Sequence, residues 1–247
     1  MHGAFPMNLP ATNPLVLVTG GTSGIGAGVC RALAAAGHRV IAGTNSAAEI
    51  ESFQPIPNVT AVHLDVTEQA SVDAVLHAID GELHGLVNCA GIIQRAGAEF
   101  EIDGFRRTLE VNLVGTMRMC VSAKPRFART GAAIVNTASM LSFFGSPLVP
   151  GYSASKGGVM QLTRSLAAAW AQENIRVNAV APGWIATPLT QPLQDNEQQA
   201  MPIMRRTPLR RWGLPDEIGS VVRFLLSDEA RFMTGAIVPV DGGYSAV

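Results

Sequence analysis

Tyr152 and Lys156 stand four residues apart in Tyr152-Ser153-Ala154-Ser155-Lys156. On a helix that spacing is one turn, so both side chains leave the same face. A free phenol titrates near ~10 and is a poor base at neutral pH. A neighbouring ammonium favours the phenolate and pulls that value down, toward the range of efficient general acid–base work. Ser139, 13 residues before Tyr152, adds a hydroxyl able to hold a reacting oxygen. Alone, a Tyr/Lys pair at this spacing is usually a solvated helix face; its company gives it weight.

That company is the stretch Thr19-Gly20-Gly21-Thr22-Ser23-Gly24-Ile25-Gly26. It follows an apolar run and opens a helical pattern. Glycines in that setting let the backbone turn tightly and approach a pyrophosphate, and the helix presents free N–H groups to it. The spacing is G-x-x-x-G-x-G rather than G-x-G-x-x-G.

The elements that must position these groups alternate along the chain. Strands are predicted at 15–18, 40–42, 59–64, 86–87, 132–137, 175–180 and 237–240. Helices are predicted over 24–36, 68–79 with Thr67 as its cap, 103–122, 151–172 and 215–226, with a truncated helix in the short connection 44–59. Val-, Ile- and Leu-rich strands separated by helices call for a parallel sheet covered on both faces, an α/β architecture. Residues 1–14 read as a loose arm and 15–247 as a single domain, with 183–213 an excursion over the site.

Composition narrows the function. The chain has 247 residues, 47% hydrophobic and 15% charged, with net charge −1 and no basic run longer than Arg205-Arg206 or Arg210-Arg211. No nucleic-acid footprint is expected. No apolar run approaches the roughly 18–20 residues of a membrane span, and no signal-peptide pattern is present, so a cytoplasmic protein is expected. Cys30, Cys89 and Cys120 are an odd number at no metal spacing and read as small buried hydrophobes; no metal is expected.

Taken together, the Thr19–Gly26 loop, Asn88-Cys89-Ala90-Gly91, Asn112, Ser139, Tyr152, Lys156, Pro182-Gly183 and Asp241-Gly242-Gly243 resemble the classical short-chain dehydrogenase/reductase family over nearly the whole chain. The resemblance implies a Rossmann-type, doubly wound, seven-stranded parallel sheet and a nicotinamide cofactor. It implies that Tyr152 is the general acid/base and that Lys156 tunes it and holds the nicotinamide ribose. Ser139 would position the substrate oxygen, and Asn112 would hold a relay water. It further assigns Gly20, Thr22, Ser23, Gly24, Ile25, Gly26, Asn88, Ala90 and Gly91 to the cofactor. Asp65, with Val66, matches the adenine-binding position; Ile185 and Thr187, after Pro182 and Gly183, match positions at the carboxamide. Cys89 departs from the family's usual asparagine, and a packing change without loss of chemistry is expected.

Within the family, Ala138 to Phe143, Val149 to Tyr152 and Ile92-Ile93-Gln94-Arg95 are similar to sugar-acid members such as 2-deoxygluconate 3-dehydrogenase and gluconate 5-dehydrogenase. The implied reaction is hydride transfer between a nicotinamide and a secondary alcohol or ketone, on a sugar acid or polyol. The alternatives are an NADPH-dependent reductase of 3-oxoacyl or bulkier keto compounds and a catalytically silent nucleotide-binding sensor. Gln94, Arg95, Ser142, Phe143 and Trp184 are expected near the substrate, with Arg95 as a candidate carboxylate partner. NAD and NADP both remain open. The second strand's tip, Gly43-Thr44-Asn45-Ser46, carries neither the acid that bonds a 2′-hydroxyl nor an arginine for a 2′-phosphate, which favours NAD; Thr44 and Asn45 are expected at the cofactor, and with Ser46 they offer neutral donors as the alternative way to hold a phosphate. The helices 103–122 and 151–172, with Ala167, Ala168, Ala169 and Ala171, are expected to build a homotetramer.

Overall fold

The computed structural model describes residues 13–247, so the arm expected over 1–14 lies outside the described residues apart from its last two. The strands are β1 (Leu15–Thr19), β2 (Arg39–Thr44), β3 (Val59–His63), β4 (Gly85–Asn88), β5 (Ala132–Thr137), β6 (Ile175–Pro182) and β7 (Ile237–Val240). They form one sheet in the order β3-β2-β1-β4-β5-β6-β7. Every pairing is parallel. The helices are α1 (Gly24–Ala35), α2 (Ala47–Glu51), α3 (Gln69–Ala78), α4 (Ile102–Leu109), α5 (Gly115–Ala123), α6 (Pro150–Trp170), α7 (Gln191–Gln194), α8 (Glu197–Arg206) and α9 (Pro215–Leu226). This is a Rossmann-like, single-domain α/β fold.

Both faces of the sheet are covered because side chains alternate along each strand. From β1, Leu15 and Leu17 enter a core with Val72, Leu76, Met119 and Trp170. Val16 and Val18 enter the opposite core with Val29, Leu33, Ile218 and Val222. Helices α1 and α9 approach through glycines: a Cβ on Gly28 would lie 2.5 Å from the Pro215 carbonyl, and one on Gly219 2.5 Å from the Gly28 carbonyl.

Two predicted helices differ in detail. The span 103–122 is interrupted by a π-turn over Glu110–Val114, closed by the Gly115 N–H bonding the Glu110 carbonyl five residues back. The widened turn aims Asn112 inward, where Oδ1 accepts from Ile92 N at 2.8 Å and Nδ2 donates to Ile92 O at 2.9 Å. Thr67 does not cap α3: its N–H and hydroxyl both donate to Asp65 Oδ1 instead, at 2.8 and 2.7 Å.

Strand order reverses between β1 and β4, where Thr19 pairs with Asn88. Beyond the carboxyl ends of such strands lies the crevice in which open α/β sheets bind ligands. A hollow of about 850 Å³ at the amino ends, lined by His38, His84 and Arg176, includes none of the glycine loop, Ser139, Tyr152 or Lys156.

Candidate active site

The crevice begins at the glycine loop. Gly20 has φ +61°, and a Cβ there would lie 2.9 Å from Ala90 N; a Cβ on Gly26 would lie 1.9 Å from the Gly20 carbonyl. The loop therefore folds tightly enough to admit no side chain at either point. Ser23 precedes α1 without a side-chain cap, and no acid occupies the helix's first turn. Uncapped N–H groups at the positive end of a helix fit a pyrophosphate. Thr187 comes over from beyond β6, its side chain 3.5 Å from where a Gly24 Cβ would stand. Thr19 Oγ1 accepts from Cys89 N and Ala90 N at 3.1 Å each, tying the floor of the crevice together.

Not every residue assigned to the cofactor faces the crevice. Asn88 turns into the interior, donating to Asn136 Oδ1 at 2.9 Å. Val66 is buried. Asp65 spends Oδ1 on Thr67, and bonds from Thr67 and Asn45 hold its carboxyl below the usual range although burial raises it. Gly183, packed so closely that a Cβ would lie 2.6 Å from Asp241 Cα, and the largely buried Ile185 do border the open space beside Tyr152.

Sequence reasoning missed Glu49. Thr44 Oγ1 donates to its Oε2 at 2.7 Å, and Thr22 Oγ1 donates to the same oxygen. Partial burial raises its pKa, but bonds from Thr22, Thr44 and Ser23 outweigh that and leave it below the ordinary value. The strand tip thus has its acid after all, five residues downstream. The signal was Ser46-Ala47-Ala48-Glu49, a helix-start pattern that folds its glutamate back over the preceding strand; Ser46 does cap α2, accepting from Glu49 N at 3.2 Å.

The Ser139, Tyr152, Lys156 and Asn112 side chains converge at the ends of β5 and α6. Lys156 is buried, with Nζ 2.7 Å from the Thr137 carbonyl and 5.5 Å from the centre of the Tyr152 ring. Burial lowers its pKa to about 8, against the opposing influence of Cys89. A Cβ on Gly91 would lie 3.6 Å from Nζ and 3.3 Å from Asn112 Oδ1. Asn112 also donates to Ser155 Oγ at 3.0 Å. Both of its amide hydrogens and one of the two acceptor positions of Oδ1 are therefore held by protein groups.

The expected lowering of the Tyr152 pKa is not found. Burial pushes it up to about 12; a hydrogen bond with Ser139 opposes this and the Glu99 carboxylate adds to it. Removing a phenolate from water costs more here than the ammonium returns across the ring.

Tyr152 and Ser139 open on a cavity of about 700 Å³. Arg95 and Trp184 line it, as expected. Gln94, Ser142 and Phe143 do not. Gln94 donates its amide to Gly104 O at 2.6 Å, and Ser142 donates to Lys156 O at 2.7 Å. Phe143 points outward, and Phe144 takes its place on the wall. Arg206 and Tyr244, both missed, complete the wall. Among the described residues, the cavity's only charged lining residues are the two arginines. The thiols play no visible part: burial raises Cys30 and Cys120 to about 12 and Cys89 to about 11, and no metal-ligand cluster occurs among the described residues.

A family model described as enoyl-(acyl carrier protein) reductase matches residues 20–245. The chain belongs to the short-chain dehydrogenase/reductase family. It is 37% identical to 2-dehydro-3-deoxy-D-gluconate 5-dehydrogenase of Bacillus subtilis, over 99% of this chain and 98% of that one. It is 35% identical to 3-oxoacyl-(acyl-carrier-protein) reductase of Thermotoga maritima, over 92% and 96%. Among solved structures it is similar to an Agrobacterium tumefaciens protein provisionally assigned as a 2-deoxy-D-gluconate 3-dehydrogenase with bound NADP. That likeness has a TM-score of 0.85 at 32% identity, covering 98% of this chain and all (100%) of that one. This short-chain dehydrogenase/reductase is accordingly an oxidoreductase that uses a nicotinamide dinucleotide, NAD or NADP, on a small molecule. No helix among the described residues is long and apolar enough to cross a membrane.

Proposed function

We propose that this enzyme is an NAD-linked dehydrogenase interconverting a secondary alcohol and a ketone on a sugar acid. One observation carries the reading: Tyr152 and Ser139 open on a cavity whose only charged wall residues, among the described residues, are arginines, a setting for an anion. The sugar-acid names of relatives agree with it. The test is turnover of 2-dehydro-3-deoxy-D-gluconate and D-gluconate beside a 3-oxoacyl thioester; activity on the thioester alone replaces this reading with the ketoacyl one.

A bound nicotinamide supplies or accepts the hydride. Ser139 holds the substrate oxygen, and Tyr152 gives it a proton in reduction and takes one in oxidation. Lys156 sets the proton content of the pair and would hold the nicotinamide ribose. Asn112 braces the loop at Ile92 and, through the Ser155 hydroxyl, helix α6 beside Lys156. The glycine loop and the uncapped start of α1 would hold the cofactor's pyrophosphate.

The choice of NAD rests on Glu49. A carboxylate bonded to Thr22 and Thr44 accepts from a ribose 2′-hydroxyl and repels a 2′-phosphate. Titration with NADH and NADPH should show tighter binding of NADH, and Glu49→Gln should narrow that preference by about 10-fold or more. Equal affinities in the wild-type protein would remove Glu49 from this role. The unpaired thiols, buried at Cys30 and Cys120 and half-buried at Cys89, agree with a cytoplasmic setting, and the exposed apolar face of α5 with a homotetramer.

A further inference from the structure

Arg206 ends α8 in the excursion that covers the cavity. Its guanidinium carbon stands 4.3 Å from the centre of the Tyr244 ring and 5.1 Å from that of Phe144. The two rings are stacked with centroids 6.2 Å apart, and Tyr244 meets Trp184 edge to face at 6.4 Å. Among the described residues no carboxylate pairs with Arg206, whereas Arg211 on the same excursion pairs with Glu217 at 2.6 Å. The aromatic faces fix the cation by its π surface and leave its N–H fork uncommitted.

The chain is built to put Tyr244 there. Gly242 and Gly243 have φ +64° and +86°, and side chains on them would come within 2.9 Å of Thr207 and 2.8 Å of Pro208. Leu209 N donates to Gly242 O at 3.1 Å. The tail is thereby fastened to the residues directly after Arg206.

Arg95, by contrast, donates from Nη2 to the Leu189 carbonyl at 2.9 Å. That bond ties the loop after β4 to the start of the excursion.

We infer that Arg206, held between Phe144 and Tyr244, receives the substrate's carboxylate as a two-pronged pair, while Arg95 latches the covering segment. The inference rests on the sugar-acid reading and names the residue that enforces it. A planar guanidinium suits a planar carboxylate, and its aromatic seat fixes the distance from that carboxylate to the carbon that reacts at Tyr152. Substrates of the same length without the charge leave the fork unpaired.

The experiment uses calorimetry on the full-length enzyme saturated with NADH, so that an alcohol ligand binds without turning over. The ligands are D-gluconate and D-gluconamide, which differ in the charged end. The wild-type enzyme should bind the acid at least about 10-fold more tightly. Arg206→Met keeps the stem on the rings and should cut that ratio by about 10-fold or more; Arg206→Lys should restore part of it. Arg95→Ala should weaken both ligands alike. A wild-type ratio near one, including no binding of either ligand, overturns the sugar-acid reading and the inference with it. A high wild-type ratio that survives Arg206→Met overturns the inference alone, and a loss of ratio in Arg95→Ala instead moves the carboxylate to Arg95.

Discussion

Tyr152 and Lys156 share a helix turn, yet burial moves them in opposite senses, the phenol up to about 12 and the ammonium down to about 8. At neutral pH the pair is fully protonated, the state that gives a proton to a ketone. Alcohol oxidation requires the pair to be one proton short, and the first proton to leave is that of Lys156. Because the Lys156 value is lowered, that form appears as pH rises through about 8. Oxidation rate should therefore climb across this window, as a pH profile of kcat would record. In Lys156→Arg, whose charge persists, the step near 8 should vanish; a profile that is flat in the wild-type enzyme would remove Lys156 from the proton path. Tyr152→Phe should reduce turnover at least about 100-fold while NADH binding changes little. Substantial remaining turnover would sink the assignment of Tyr152.

At the scale of elements, the site depends on a residue with no reactive role. Helix α6 begins at Val149-Pro150 without a side-chain cap of its own. Glu99, fully buried, supplies one from a distant loop: Oε2 accepts from Tyr152 N at 2.8 Å and Oε1 from Gln94 N at 2.9 Å. Gly151 leaves room for it, since a Cβ would stand 3.3 Å from Oε2. Glu99→Ala strands two partly buried N–H groups and should cost roughly 1–3 kcal/mol in urea unfolding; Glu99→Gln, which keeps an acceptor, should cost less. The alternation of Val-rich strands and helices made the sheet and its seven strands legible in the sequence, and local spacing made Ser139, Tyr152 and the glycine loop so. Glu99, Arg206 and Tyr244 were not legible, because each acts across a separation of tens of residues that only the tertiary fold closes. The π-turn was hidden for a related reason: Asn112 widens the helix to meet Ile92, a contact that helical periodicity does not encode.

At the scale of the molecule, apolar surface remains where the sequence expected a subunit interface. Val114, Met117 and Val121, spaced along one face of α5 and its approach, are 40%, 39% and 49% exposed. Phe100 and Ile102 lie bare just before and at the start of α4. Of the four alanines at the end of α6 and just beyond it, Ala167 is buried within the subunit, while Ala168, Ala169 and Ala171 are exposed and allow close approach of another helix. An apolar stripe beside small exposed residues is costly in water and is relieved when an identical copy covers it. The same helices carry Asn112 and Tyr152, so their packing across copies would also steady the site. Sedimentation equilibrium should give four times the chain mass of 26.0 kDa. Met117→Glu combined with Val121→Glu places two buried charges in the interface and should reduce the assembly to smaller species. A wild-type protein that sediments as a monomer at micromolar concentration would refute the tetramer.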